Sequence, residues 1–188
     1  MESKLRALLP LLLLLVLLLG ACSSDPALYR DNSPKLDHQT FFTGDLCAWG
    51  TVHDFTGNVT RRFVADIKGT ATATTFELDE IFLFDDGEKQ YRLWKFNKTA
   101  NGWEGRAGDV VGVAEGQFIG NMMALKYDLQ ITSEESEIII GMDDELHLVD
   151  ENNMMGKTVM TKFGITVGEI NLIMQKQANG SACRLERD

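Results

Sequence analysis

The sequence predicts an all-β protein: an antiparallel up-and-down barrel of about nine or ten strands, preceded by a signal segment. Three observations predict it. All three prolines (Pro10, Pro26, Pro34) precede residue 35, so no later segment is barred from a central strand. Sixteen glycines then punctuate residues 44–180, the interval expected of short strands joined by turns. Between them apolar and polar residues alternate with period two, and helical periodicity is weak. So many short strands must close into a barrel or fold into a two-sheet sandwich, because an open sheet leaves exposed edges. Hairpin-length connections favour a barrel of the lipocalin or calycin kind. At this strand number its interior is nearly filled by side chains or holds one small ligand.

The first element is an address. Lys4 and Arg6 give a positive start, and Leu8–Leu19 is leucine throughout except for Pro10 and Val16. That run suits a signal-peptide core and is too short to span a bilayer. Leu19-Gly20-Ala21-Cys22 follows. Small residues before a cysteine, after an apolar core, are what lipoprotein processing needs, and the Cys22 thiol then receives diacylglycerol, with palmitate-type acyl chains. Residues 1–21 are thus expected to be removed. They carry one acid (Glu2) and two bases, so the formal charge of -10 becomes -11. Two or three acyl chains hold a protein on a membrane without help from its surface. Ser23, rather than an aspartate, follows Cys22. That favours the periplasmic face of the outer membrane. Residues 22–35, with Pro26, Asn32, Ser33 and Pro34, read as a flexible tether of about 20 Å. Residues 36–178 form the barrel and 179–188 a polar tail. So acidic a chain argues against nucleic-acid binding.

Strands are expected near 41–54, 59–68, 74–84, 88–97, 103–107, 111–118, 121–132, 136–149, 154–163 and 165–176. The clearest is the seventh, where Met123, Leu125, Tyr127, Leu129 and Ile131 alternate with polar or small residues. Phe55-Thr56-Gly57 and Asp85-Asp86-Gly87 each suit a three-residue hairpin loop with glycine in the left-handed position.

Alternation also exposes charges on apolar rows. Glu80 interrupts Phe76, Leu78, Phe82 and Phe84. Arg61 interrupts Val59, Phe63, Ala65 and Ile67. Asp144 interrupts Ile138, Ile140, Met142, Leu146 and Leu148. The Asp85-Asp86-Gly87 turn sets Glu80 opposite Arg92 and Leu78 opposite Trp94. The same arithmetic on the first hairpin sets Trp49 opposite Phe63 and Thr51 opposite Arg61. Two bases and two acids would then face inward, and buried charges need partners. They form either a salt-bridge network in the core or the polar floor of a ligand cavity. In the second reading Arg61 or Arg92 holds a carboxylate or phosphate bidentately, and Trp49, Phe63, Phe82 and Trp94 line the apolar part.

Other motifs carry less. Asp85-Asp86-Gly87-Glu88 and Asp143-Asp144-Glu145 lack the oxygen spacing of a calcium loop. The glycine-rich run Gly105–Gly112 lacks the pattern of a phosphate cradle. His38, His53 and His147 are scattered, and no serine sits in a GxSxG setting. No catalytic residue, metal or cofactor is therefore expected. An oxidising compartment allows a Cys47–Cys183 disulfide; alternatively Cys47, sharing parity with Trp49, points inward as a small apolar residue.

Several spaced motifs carry a resemblance. They are Phe41-Phe42-Thr43-Gly44, Ala48-Trp49-Gly50, Thr60-Arg61-Arg62-Phe63, Leu78-Asp79-Glu80, Asp85-Asp86-Gly87, Ala107-Gly108-Asp109-Val110-Val111-Gly112 and Thr161-Lys162-Phe163-Gly164. In this order they resemble the proteobacterial lipoprotein family known as domain of unknown function 3833, over about residues 35–178. The chain departs from that family at Gly120-Asn121-Met122 and Leu125-Lys126-Tyr127. The resemblance implies a lipoprotein and supplies no catalytic residues. The function expected is binding of a small amphipathic ligand, such as a fatty acid, inside the barrel. The alternative is a non-catalytic scaffold or chaperone-like lipoprotein acting through its outer surface.

Overall fold

The computed structural model describes residues 25–132, 136–178, Cys183, Leu185 and Glu186. Ten antiparallel strands close into one barrel: β1 (Gly44–Asp54), β2 (Val59–Ala71), β3 (Thr75–Phe84), β4 (Lys89–Thr99), β5 (Gly102–Arg106), β6 (Val110–Ile119), β7 (Met122–Thr132), β8 (Glu137–Leu148), β9 (Asn153–Lys162) and β10 (Ile165–Lys176). Each strand pairs with its sequence neighbours, and β1 pairs with β10. This is the up-and-down topology that the hairpin-length connections predict, and closure removes every free edge. Among the described residues no helix is long and apolar enough to cross a membrane.

The pleat puts one side of each strand into the barrel. β3 and β4 pair in the expected register, with Glu80 opposite Arg92 and Leu78 opposite Trp94. The first hairpin corrects the expectation. A β-bulge between Val52 and His53 shifts the register by one, so Trp49 pairs with Val64 and Arg61 with Val52. An extra residue in one strand of a pair has this effect. Arg61 and Phe63 still share the inner face, but Trp49 belongs to the outer face and is 46% exposed. Gly50 takes the inner position opposite Phe63, and a Cβ there would lie 2.3 Å from the Phe63 ring.

One end of the barrel is shut. A short helix α1 (His38–Phe41) lies across it, with Asp37 as its N-cap. Phe41 and Phe42 are buried. Phe42, Phe76 and Phe96 stack in sequence at centroid distances of 5.3 and 4.2 Å, a contact that adds to simple area burial. Lys176 donates to the carbonyls of Thr40, Phe41 and Thr43, so carbonyls left unpaired at the helix end are satisfied. Gly69 permits the close approach, because a Cβ there would sit 1.9 Å from the Phe42 carbonyl oxygen.

The flanking segments also depart from the expected tether and loose tail. Pro26–Tyr29 forms a 3-10 helix capped by Asp25. The Leu36 amide donates to the Gly120 carbonyl at 2.8 Å, and the Tyr29 ring packs 4.6 Å from His147. The segment from Pro26 to Leu36 therefore touches the barrel through Tyr29 and Leu36. In the tail, Cys183 is disulfide-bonded to Cys47, with Cα atoms 5.6 Å apart. The Leu185 amide donates to Asp66, and Lys89 donates to the Glu186 carbonyl. Cys47 shares the outer parity of Trp49, so the inward option fails, and it is buried at the place where the tail crosses. Lipidation of Cys22 and the signal segment lie outside the described residues.

Candidate binding cavity

The other end of the barrel is open. A cavity of about 770 Å³ leads inward from it, within the range of small-molecule pockets, about 300–1,000 Å³. Val52, Arg61, Phe84, Glu88, Ile138 and Val167 stand around its outer part. These positions lie in turns or near strand ends on the side where β1 joins β2, β3 joins β4 and β9 joins β10, with Ile138 at the start of β8. The deeper wall is apolar, with Phe63, Phe82, Trp94, Leu125, Met142 and Leu172. Phe55 and Phe163, at two neighbouring hairpin tips beside the mouth, are 78% and 93% exposed.

Of the eight residues predicted to form a site, seven line this cavity: Arg61, Arg92, Glu80, Asp144, Phe63, Phe82 and Trp94. Trp49 does not, because the bulge turns it outward. The charges, however, are not paired as expected. Arg61 sits at the mouth, where its Nη2 meets Asp86 at 2.7 Å and Glu88 at 2.8 Å. Its guanidinium carbon stacks 3.7 Å from the Phe84 ring centroid. Arg92 gives both Nε and Nη2 to Asp109, at 2.9 and 2.7 Å. A bidentate carboxylate pair satisfies the guanidinium fork. Asp109 therefore fills the Nε–Nη2 side of the Arg92 guanidinium, and Nη1 is the nitrogen left facing Glu80.

Glu80 and Arg92 are cross-strand partners, yet Glu80 Oε2 lies 4.0 Å from Arg92 Nη1, beyond hydrogen-bond range. Glu80 is 6% exposed, and its Oε2 is buried without a hydrogen-bond partner. Burial pushes its carboxyl up to about 7; Arg92 pulls the other way, and Asp109 and Asp144 add to the rise. In the same polar group, Thr158 donates to Asp144 at 2.6 Å, and the Tyr127 phenol stands beside that carboxyl. Burial still raises Asp144 to about 6, and burial beside Asp144 raises the Tyr127 phenol well above its usual range. The polar patch thus holds three carboxyls, one guanidinium, a phenol and a hydroxyl. Burial in this patch thus disfavours the charged forms of Glu80 and Asp144.

Asp109, Tyr127 and Thr158 were not singled out in the sequence. Tyr127 was legible, since it stands in the inward row of β7. Thr158 follows from its pairing with Asp144 only once the register of β9 is known. Asp109 lies in the short turn between β5 and β6, where no periodicity applies. Among the described residues no cluster of histidine, cysteine and carboxylate side chains could hold a metal ion, and the two acidic runs set aside in the sequence serve turns and strands.

The barrel is similar to a solved protein. The structure of the S-type phycobiliprotein lyase CPES from Guillardia theta superposes with a TM-score of 0.54 at 10% identity, covering 73% of this chain and 89% of that one. At that identity the likeness concerns the fold, which is lipocalin-like. No curated protein sequence matches the chain. Residues 15–176 match the family described as Protein of unknown function (DUF3833). The match spans the whole barrel together with the plug and the docked N-terminal segment, and the chain therefore belongs to the DUF3833 family.

Proposed function

We propose that the protein is a non-catalytic envelope lipoprotein, anchored through Cys22 at the periplasmic face of the outer membrane, whose barrel holds a small amphipathic ligand. The observation that supports the binding role is the cavity. It is about 770 Å³, open at one end and lined by aromatic and aliphatic side chains. A small group of buried polar side chains stands at one place in its wall. A mostly apolar pocket with a few convergent polar groups is the usual form of a small-molecule site. The plugged far end makes it a container rather than a channel. The anchor rests on the leucine run and Leu19-Gly20-Ala21-Cys22.

Trp94 reports on the cavity, because it lines the wall and is 5% exposed. The chain beginning at Ser23 keeps the barrel, plug, docked segment and disulfide. Titrating it with alkyl-chain amphiphiles of increasing length should give a saturable change in tryptophan fluorescence that Trp94→Phe abolishes. No saturable change at any length would remove the binding role and leave a scaffold acting through the outer surface.

A further inference from the structure

We infer that the cavity selects an alkyl or acyl ligand with a neutral hydroxyl or amide head, and rejects one with a free carboxylate. This inference rests on the binding role proposed above and names the chemistry of its ligand.

Most polar groups of the cavity wall already have partners. Arg92 is the one guanidinium beside the deep polar group, and two of its nitrogens are bound to Asp109. Arg61, the other arginine of the cavity, is held at the mouth by Asp86 and Glu88. Asp144 receives Thr158 and has the Tyr127 phenol beside it. What remain are Arg61 Nε, a donor at the mouth, and in the deep polar group Glu80. Its Oε2 is buried and unpartnered, it lines the cavity, and it stops 4.0 Å short of Arg92 Nη1. That gap is too long for a direct bond. It suits one small group that both donates and accepts, placed beside the two atoms: it gives its proton to Glu80 Oε2 and takes one from Arg92 Nη1. A hydroxyl does this, and so does an amide, through its N–H and its carbonyl.

A carboxylate fits badly. It has acceptors only, so it cannot satisfy Glu80 when that group is charged. It would also bring a fourth carboxyl next to Glu80, Asp109 and Asp144 with one guanidinium among them, and like charges placed together in a dry site repel strongly. An alkylammonium could meet Glu80, but it has donors only and would leave Arg92 Nη1 without an acceptor.

The experiment uses the Ser23-initiated chain and four probes of one chain length: dodecanol, dodecanamide, dodecanoate and dodecylammonium. Affinities are read at about pH 8 by Trp94 fluorescence and calorimetry. Dodecanol and dodecanamide are expected to bind at least about tenfold more tightly than dodecanoate, and more tightly than dodecylammonium. Glu80→Gln, which keeps an acceptor and removes the charge, should narrow the gap between dodecanol and dodecanoate severalfold. Dodecanoate or dodecylammonium binding as tightly as the neutral probes would overturn the head-group selectivity and leave the binding role standing. An unchanged ratio in Glu80→Gln would likewise overturn the assignment to Glu80. No binding by any probe would overturn the binding role itself and this inference with it.

Discussion

Glu80 is the residue where the fold departs most from the ordinary solvation of a charge. An exposed carboxyl ionises near 4.5, whereas burial carries this one to about 7. Between those values the unfolded chain has released its proton and the folded chain has kept it. The folded state therefore binds more protons, and stability falls as pH rises through this window. For Glu80 the loss is about 3 kcal/mol at most, from the free energy equivalent of such a shift. Asp144 acts in the same direction over the interval up to about 6. Urea unfolding at pH 5, 6.5 and 8 should show highest stability at pH 5. Glu80→Gln should flatten the upper part of that profile and cost little at pH 8. If Arg92 depended on Glu80, removing the acid would strand a buried charge at about 3–5 kcal/mol. It does not depend on it, because Asp109 holds the guanidinium at 2.7 Å. A large loss at pH 8 would show that the Glu80–Arg92 contact is the real pair.

At the scale of elements, the strands and the β3–β4 register were legible because the code there is local. Period-two alternation marks each strand, and Asp85-Asp86-Gly87 fixes which residues face each other; Gly87 has a φ of 87°, as the turn requires. Gly57 behaves alike at 89°, yet counting outward from it fails beyond His53. The bulge that breaks the count leaves no mark in residue type, so the sequence alone predicts Trp49 inside and pairs it with Phe63, whereas Phe63 pairs with Gly50. The inward rows survived the error, since Arg61 and Phe63 share a parity whatever they face. The docked N-terminal segment was illegible for a different reason. Pro26 and Pro34 read as a linker, and the contacts that hold it are with Gly120 and His147, far along the chain. Polar partners were the least legible of all. Alternation shows which side a charge faces; it does not show that a turn residue, Asp109, reaches in and takes the arginine.

The whole molecule is a container closed below by α1 and Phe42, strapped outside by the tail through Cys47–Cys183, and open above. Only Ser23 and Ser24 separate Cys22 from Asp25, the cap of the docked 3-10 helix. An extended chain reaches about 3.3–3.6 Å per residue, so an anchor on Cys22 holds the barrel within roughly 11 Å rather than on a long leash. Cys22→Ser should move the protein from the membrane fraction to the aqueous fraction after signal removal. Retention on membranes through a high-salt wash would contradict the anchor. That soluble variant also permits the most direct test of the central claim, that the barrel is a container. Native mass spectrometry of the protein, purified from cells without detergent, should show a population heavier than the chain by one small apolar molecule. Mild heating should release that molecule, and it should carry no free carboxylate. A single species at the bare chain mass, which also takes up none of the alkyl probes, would contradict the account.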